Sequence, residues 1–506
     1  MAVAITFMAL LVRLFLCDQM ACLSRDGVQF ITFAKELAES PVETMRSTTK
    51  QPGYSFAVLG VHHLLNPLLG ENGPLAWQRA GQLIPLFCGV AVCPLVMVLT
   101  RRLFDGTTAI VAGVLAAFWW QGAQLSADVL SDIPHLMLYL TALLAAGRAV
   151  EKESVARMAV SGGILGLAYL LRQEAVGLLA GVALCRLIPP QPWRIARRDR
   201  VIAVAALVAA FAVVAAPYSL AVGRLMPNKG FHDLWRLLGG GSAVEPSSHL
   251  LGAVVCWYEA PVRMLEAWGK SGRYAYSTLA LVAFFWKRAA TADAGWRRLV
   301  LVAVIFQIIL TQLRASSYDH QISTRYMLLP AALSLPWAAS GLVALLDRLL
   351  APAKSGNAAR AGLLVLGLIA PLIPQIVYHL RPINGECWAY RAAGRWLDEQ
   401  VSAGELVMAH DRLEQLMFYA GRARPNDAEW LRFPEAADLA ETAAQIHHRR
   451  PVWFVDGETG SRSLGDESAY TIGLQAGLAD RLVPVWAGGS PRCRVLIFRI
   501  VPDSEH

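Results

Sequence analysis

Charge is scarce in this 506-residue chain: Asp, Glu, Lys and Arg make up 17% of it, against about 25% in an ordinary soluble domain. Its 55% hydrophobic content excludes an unstructured chain, which needs the opposite balance. Cysteine is sparse as well. Eight Cys, none in a C-x-x-C pair, exclude a disulfide-built scaffold. Cys17, Cys88, Cys93 and Cys185 lie in apolar runs and read as small buried hydrophobes. Cys387 and Cys493 bracket the polar C-terminal part and could pair in an oxidising compartment. The 40 Gly and 26 Pro show no every-third period, so a collagen-like chain falls away. Metal and nucleotide signatures are missing too. His62-His63 and His447-His448 are adjacent pairs, not the i, i+4 pair of a zinc helix, and no Lys-Ser/Thr follows Gly239-Gly240-Gly241.

What is abundant is long apolar runs, and mean hydropathy is +0.42. A membrane-spanning helix needs roughly 20 mostly apolar residues. Eleven runs approach that length, at about 2–22, 76–99, 107–124, 129–147, 157–172, 174–188, 201–222, 274–287, 299–314, 326–346 and 361–380. The first contains Arg13 and Asp18 and lacks a small-x-small cleavage site, so it reads as an uncleaved anchor. The fold class is therefore a polytopic α-helical membrane protein, residues 1–380, with a C-terminal soluble α/β domain, residues 381–506.

Basic residues give the orientation, because short loops rich in Lys and Arg stay on the cytoplasmic side. Segments 100–108, 148–158, 186–200, 286–299 and 347–360 hold 17 basic and 6 acidic residues. All five fall on one side of an eleven-span chain, which makes that side the cytoplasm. The outer side receives loops 23–75 and 223–273, short turns near 125–128, 172–174 and 315–325, and the tail. The tail carries 14 Lys plus Arg and 18 Asp plus Glu, while the whole chain is at +8 with a pI near 9.1. The basicity is orientation signal and gives no ground for a nucleic-acid partner. In the tail, 388–400, 412–420 and 435–447 have helical periodicity, and 405–409, 451–455 and 494–501 read as strands. No Gly-rich phosphate fingerprint follows the first strand.

Chemistry is sought where charges stand close to the apolar runs, since such charges are costly and by default functional. Ser24-Arg25-Asp26-Gly27 follows the first run; Asp26 either caps a helix over 28–38 or offers a carboxylate at a cavity mouth. The rest of loop 23–75 has apolar positions at helical spacing, as in helices lying along a membrane surface. Asp128 and Asp132 are four apart and share a face if their turn is helical. They could bind a cation, hold an acceptor hydroxyl or orient a basic residue, and Asp128 could instead cap the next helix. Arg172-Gln173-Glu174 breaks an apolar stretch, so Arg172 needs either Glu174 or a phosphate as partner. Arg325-Tyr326 opens the tenth run, where a cation opposes the helix dipole and a bound anion would compensate. Either Arg could also snorkel to headgroups. Asp319-His320, in a Ser-rich turn, reads as solvated.

These stretches together resemble bacterial integral-membrane glycosyltransferases of the GT-C superfamily, the group containing protein mannosyltransferases (glycosyltransferase family 39) and lipid A aminoarabinose transferases. The residues that carry the resemblance are Arg25-Asp26-Gly27-Val28, Gln51-Pro52-Gly53-Tyr54, Gln78-Arg79-Ala80, Ser131-Asp132-Ile133-Pro134, Leu171-Arg172-Gln173-Glu174 and Ser323-Thr324-Arg325-Tyr326-Met327-Leu328-Leu329-Pro330. The resemblance covers about 1–380. It implies transfer of a sugar from a polyprenyl-phosphate donor to a protein, lipid or glycan acceptor at the outer face of the cytoplasmic membrane. Asp26 would be the catalytic carboxylate, joined by Asp132; Arg172, Arg325 and Tyr326 would hold the lipid phosphate; Arg25, Asp128 and Glu174 would line the cavity. The family often has two acidic residues where this chain has Asp26-Gly27. The implied chemistry requires no cofactor and no protein-bound metal, with a divalent cation left open. The tail would lie outside the cell and could recognise the acceptor. A transporter or flippase remains a rival, although no inverted repeat is visible, as does a noncatalytic GT-C-like scaffold.

Overall fold

The structure is a computed structural model. It describes residues 1–48, 50–69, 73–188, 197–223, 249–285, 294–317, 322–350, 357–402, 404–410, 413–421, 430–433, 451–457, 481–490 and 493–501. The chain forms two compact units. One comprises Met1–Cys17, Glu36–Ala57 and Leu83–Leu380; the other comprises Asp18–Lys35, Val58–Gln82 and Arg381–His506.

Every one of the eleven apolar runs is helical. They become α1 (Ala2–Asp18), α5 (Pro74–Leu103), α6 (Gly106–Phe118) with α7 (Trp120–Ala127), α8 (Asp132–Glu151), α9 (Val155–Leu171), α10 (Ala175–Leu187), α11 (Arg197–Val222), α13 (Ala275–Phe285), α14 (Ala294–Ser317), α15 (Leu328–Leu350) and α16 (Asn357–His379). Segment 23–75 supplies α2 (Arg25–Glu39), α3 (Pro41–Ser47) and α4 (Gly53–Leu69), and segment 223–273 supplies α12 (His249–Ser271). Among the described residues five helices are long and apolar enough to cross a membrane, or six if α6 and α7 count as one bent span. Helices α9 and α10, with 17 and 13 residues, rise only about 25 and 20 Å at 1.5 Å per residue, short of a roughly 30 Å hydrocarbon core. The chain is thus a membrane protein by its apolar helices, with several spans shorter than a full crossing.

Local chemistry sets the helix ends. Asp105 caps α6 by accepting from Thr108 N at 2.8 Å, and Ser154 caps α9 by accepting from Arg157 N at 3.3 Å. Arg101 and Arg102 lie in the last turn of α5, the end of a helix that favours cations. Small residues set the spacing between helices. A Cβ on Gly162 of α9 would collide with the Leu207 carbonyl oxygen of α11, and one on Gly341 of α15 with the Leu279 carbonyl oxygen of α13. In lipid, such close backbone approach replaces the hydrophobic driving force that water would supply.

The break between α6 and α7 bends the chain by 48° at Trp119. Backbone groups exposed by a break inside an apolar bundle need partners. Three residues, Arg13, His379 and Gln375, provide them. Arg13 Nη1 of α1 donates to Ala117 O at 3.2 Å, and His379 Nε2 meets Phe118 O at 3.0 Å. Gln375 accepts from Trp120 N at 3.0 Å and donates to Gly272 O at 2.9 Å, and Trp119 Nε1 donates to Ser271 O at 3.0 Å. The bend sets α7 and the non-helical residues 128–131 at the entry of α8.

The second unit is built on a five-stranded mixed sheet. Its strands are β1 (Val407–His410), β2 (Trp430–Phe433), β3 (Trp453–Gly457), β4 (Leu482–Ser490) and β5 (Cys493–Ile500), in the order β2-β1-β3-β5-β4. β1 runs parallel to β2 and β3; β5 runs antiparallel to β3 and β4. Leu406, Met408, Phe454, Phe498 and Ile500 form an apolar cluster on it. Helices α17 (Trp388–Gln400) and α18 (Glu414–Tyr419) pack on each other. Strands β1, β3 and β5 fall on or within a residue or two of the expected 405–409, 451–455 and 494–501, and α17 coincides with 388–400. The expected helix over 435–447 lies outside the described residues. Tyr419 ties the unit's separate segments together: its hydroxyl donates to Gln78 Oε1 at 3.0 Å and accepts from Leu23 N at 3.1 Å. Asn384, in the left-handed region at φ 53°, donates from Nδ2 to Cys22 O at 2.9 Å.

Candidate active site

Helix α9 ends at Leu171, and Arg172 follows in extended conformation as its C-terminal cap. Two residues later Glu174 opens α10, so the turn between two apolar helices carries both charges. The Arg172 fork meets Glu174 through Nε at 3.3 Å and Nη2 at 2.9 Å, while Nη1 donates to Asp132 Oδ1 at 2.8 Å. Arg325 arrives on a 3₁₀ turn, Thr324–Met327, where Ser323 Oγ accepts from Arg325 N at 3.3 Å. Its Nη2 donates to Asp132 Oδ2 at 2.8 Å. One carboxylate thus takes a guanidinium on each oxygen. The Asp132 side chain is 2% exposed, against 16% for Arg172 and 28% for Arg325: the anion is sealed and the cations reach open space. Asp132 lies in the first turn of α8, where the helix dipole also favours a negative charge.

These groups line a small cavity of about 30 Å³ together with His135, Gln307, Thr311 and Tyr326. His135 stands one turn after Asp132 on the same face of α8. Its Nδ1 lies 3.1 Å from Ala168 O, and because a carbonyl only accepts, Nδ1 carries the proton. The buried Nε2 then presents a lone pair, and it has no hydrogen-bond partner among the described residues. Beside this cavity runs a larger apolar groove of about 810 Å³, bounded by Trp268, Phe284, Leu301, Ile308, Met327 and Trp337. Met327 belongs to the same 3₁₀ turn as Arg325, so the groove and the arginine cluster share a wall.

The structure therefore brings Asp132, Arg172, Glu174, Arg325 and Tyr326 together. Asp128 is not among the cavity-lining residues. It ends α7, is buried, and accepts from Val129 N at 2.8 Å. Residues 128–131 are not helical, so Asp128 and Asp132 do not share a helix face, and the side chain caps no following helix. Asp26 and Arg25 belong to the other unit, in the first turn of α2. Ser24 Oγ accepts from Gly27 N at 3.2 Å, so the capping position belongs to Ser24 and not to Asp26. Arg25 pairs with Glu414 at 3.5 Å, where Gln29 Nε2 also donates at 3.0 Å. Among the described residues no three His, Cys, Asp or Glu side chains converge as a metal site would need. His62 stacks on Trp77 with ring centroids 3.6 Å apart. Asp319-His320, Gly239–Gly241 and His447-His448 lie outside the described residues.

Residues 77–219, which include Asp132, Arg172 and Glu174, match the family described as dolichyl-phosphate-mannose-protein mannosyltransferase. No curated protein sequence matches the chain. Among solved structures, ArnT from Cupriavidus metallidurans bound to undecaprenyl phosphate superposes with a TM-score of 0.57 at 14% identity, covering 98% of this chain and 97% of that one. The archaeal oligosaccharyltransferase AglB from Archaeoglobus fulgidus, in complex with an inhibitory peptide and a dolichol-phosphate, gives 0.53 at 12% identity, covering 100% and 74%. The chain shares its fold with these two proteins.

The residues that sequence reasoning missed are His135, Gln307 and Thr311. His135 had a readable signal, since Asp132 and His135 are three apart on a helix that starts with a charge. Gln307 and Thr311 are four apart on α14, and the Thr311 hydroxyl donates to Gln307 O at 2.9 Å. Only the tertiary arrangement turns them toward Asp132.

Proposed function

We propose that this chain is a glycosyltransferase that moves a sugar from a polyprenyl-phosphate donor to an acceptor hydroxyl at the outer face of the cytoplasmic membrane. The observation that carries the reading is the pairing of Arg172 and Arg325 on one buried carboxylate at the edge of the apolar groove. A lipid phosphate needs those two environments side by side: guanidinium forks match phosphate oxygens, and an isoprenoid chain needs an apolar channel. Displacement at the anomeric carbon breaks the sugar–phosphate bond and forms the new glycosidic bond, with the phosphate leaving as an anion on Arg172 and Arg325. Asp132 keeps both guanidiniums aimed and contributes to catalysis through them. Tyr326, Glu174 and His135 complete the wall. Asp26 takes the acceptor's hydroxyl proton as general base.

The apolar runs and basic stretches support eleven spans, with the tail beyond 380 outside the cell. The proposed reaction requires neither a cofactor nor a nucleotide sugar. The test uses the purified full chain and undecaprenyl phosphate as probe. Binding should weaken at least about tenfold, the cost of losing a charge-assisted bidentate contact, in Arg172→Ala and in Arg325→Ala. If undecaprenol, which lacks the phosphate, binds as tightly as the probe, the site assignment fails. Asp26→Asn should abolish transfer from a lipid-linked donor while leaving probe binding intact, and retained transfer would remove Asp26 from the mechanism.

A further inference from the structure

Two thiols remote in sequence meet in the C-terminal part of the second unit. Cys387 ends the 3₁₀ turn Gly385–Cys387 and leads directly into α17, and Cys493 is the first residue of β5, paired with Ser490 of β4. Helix α17 packs on both β4 and β5, which brings the two cysteine side chains within hydrogen-bonding reach of each other and of the Tyr390 hydroxyl. Both are free thiols in this structure; Cys387 is partly exposed and Cys493 buried. Nothing in the proposed transfer chemistry uses them.

We propose that Cys387 and Cys493 are joined by a disulfide in the mature protein, a covalent link between the start of α17 and the start of β5. The supply of oxidant rests on the outer placement of this part of the chain proposed above, because disulfides persist in oxidising compartments. The oxidant is a protein disulfide, and the bond forms by two exchanges. The partly exposed Cys387, as thiolate, attacks one sulfur of the oxidant and gives a mixed disulfide. Cys493 Sγ then attacks the Cys387 sulfur and expels the oxidant's sulfur. Cys387 and Cys493 lose two protons and two electrons, and the oxidant leaves as a dithiol. A link between residues about a hundred positions apart closes a long loop, the case in which a disulfide restricts the unfolded chain most. It also ties down the last strand, in which β5 is held between β3 and β4.

The test takes the full chain from cells quenched with acid and N-ethylmaleimide, then maps its proteolytic fragments without reductant. The expected result is one fragment joining the Cys387 and Cys493 peptides, lighter than their sum by two hydrogen atoms. Alkylation of both thiols, or a link from either to the buried Cys22, overturns the proposal. A reductant should lower the unfolding temperature of the wild-type chain by several degrees, and Cys387→Ser and Cys493→Ser should each lower it equally, with no further loss in the double variant. Additive losses would contradict a shared bond. The side of the membrane is tested separately, by labelling exposed Ser402→Cys in the Cys387→Ser, Cys493→Ser background with an impermeant maleimide on intact cells. Failure of that labelling condemns the outer placement, whereas successful labelling with no link found condemns the disulfide alone.

Discussion

Asp132 is the residue on which the arginine cluster depends, because both its oxygens are engaged and its side chain is sealed while its partners are not. Replacing it with Asn removes the charge common to Arg172 and Arg325 with little change in shape. Breaking a buried pair costs about 3–5 kcal/mol, and the partial exposure of both guanidiniums places this one near the lower end, at about 3 kcal/mol. Thermal unfolding in detergent should show that loss in Asp132→Asn, and a change below about 0.5 kcal/mol, the level of an ordinary surface substitution, would mean the pairing is not structural. Each of the three charges was readable in the sequence as an expense near an apolar run. Their meeting was not, since positions 132, 172 and 325 are joined only by helix packing. His62 offers a second test. It stacks on Trp77, with Lys35 Nζ 5.4 Å from the same ring, and burial first, then His63 and Lys35, hold it below the usual 6.5. The unfolded chain therefore binds the proton that the folded one refuses, and this contribution is lost as pH falls below 6.5. The unfolding temperature should drop between about pH 7.5 and 5.5, and His62→Gln should flatten that drop. An unchanged slope in the variant would assign the pH dependence elsewhere.

Among the elements, hydrophobic period and length were enough to locate the helices, because burial in lipid rewards uninterrupted apolar runs and little else. The bend at Trp119 was hidden for the same reason. Residues 107–124 read as one run, and the partners that make a break tolerable come from Arg13, Gln375 and His379, far away in sequence. Gln375→Leu keeps the shape of the side chain and leaves both Trp120 N and Gly272 O without it, so a loss of about 1–3 kcal/mol per orphaned group is expected. Normal stability in this variant would show that the break finds other partners. Close packing gives a sharper case. In Gly162→Val the added carbons meet a backbone carbonyl on α11, which cannot rotate away, so α9 and α11 must separate, at a cost of about 1–3 kcal/mol. A variant as stable as wild type would contradict the contact. In the sheet, β4 escaped notice because its sequence LVPVWAGGS contains Pro484 and two glycines. Proline is confined to edge strands and bulges, and β4 is at the edge, with its register shifted between Pro484 and Trp486.

At the scale of the whole molecule, composition announced a membrane protein and the order of short motifs suggested the GT-C fold, which the solved structures share. Sequence placed a boundary near 380, and the second compact unit includes Arg381–His506. It also includes 18–35 and 58–82, which no composition shift marks; hydrogen bonds such as those of Tyr419 and Asn384 draw these segments in. The apolar groove was equally invisible, since Trp268, Phe284, Ile308 and Trp337 each look like ordinary membrane-helix residues and gain meaning only as a channel ending at the Arg325 turn. That channel makes a demand on the whole reading. If it carries the isoprenoid chain of the donor, narrowing it should affect long lipids and spare short ones, because only a long chain extends past Met327. Ser334 lines the groove and accepts from Trp268 Nε1 at 3.2 Å, so Ser334→Leu adds bulk within it and leaves the arginines untouched. Measured on the purified full chain, undecaprenyl phosphate should bind this variant at least about tenfold more weakly, a difference of roughly 1.4 kcal/mol, while geranyl phosphate should bind wild type and variant alike. Equal losses for both lipids would place the defect at the phosphate site, and no loss for either would mean that the isoprenoid chain takes another path.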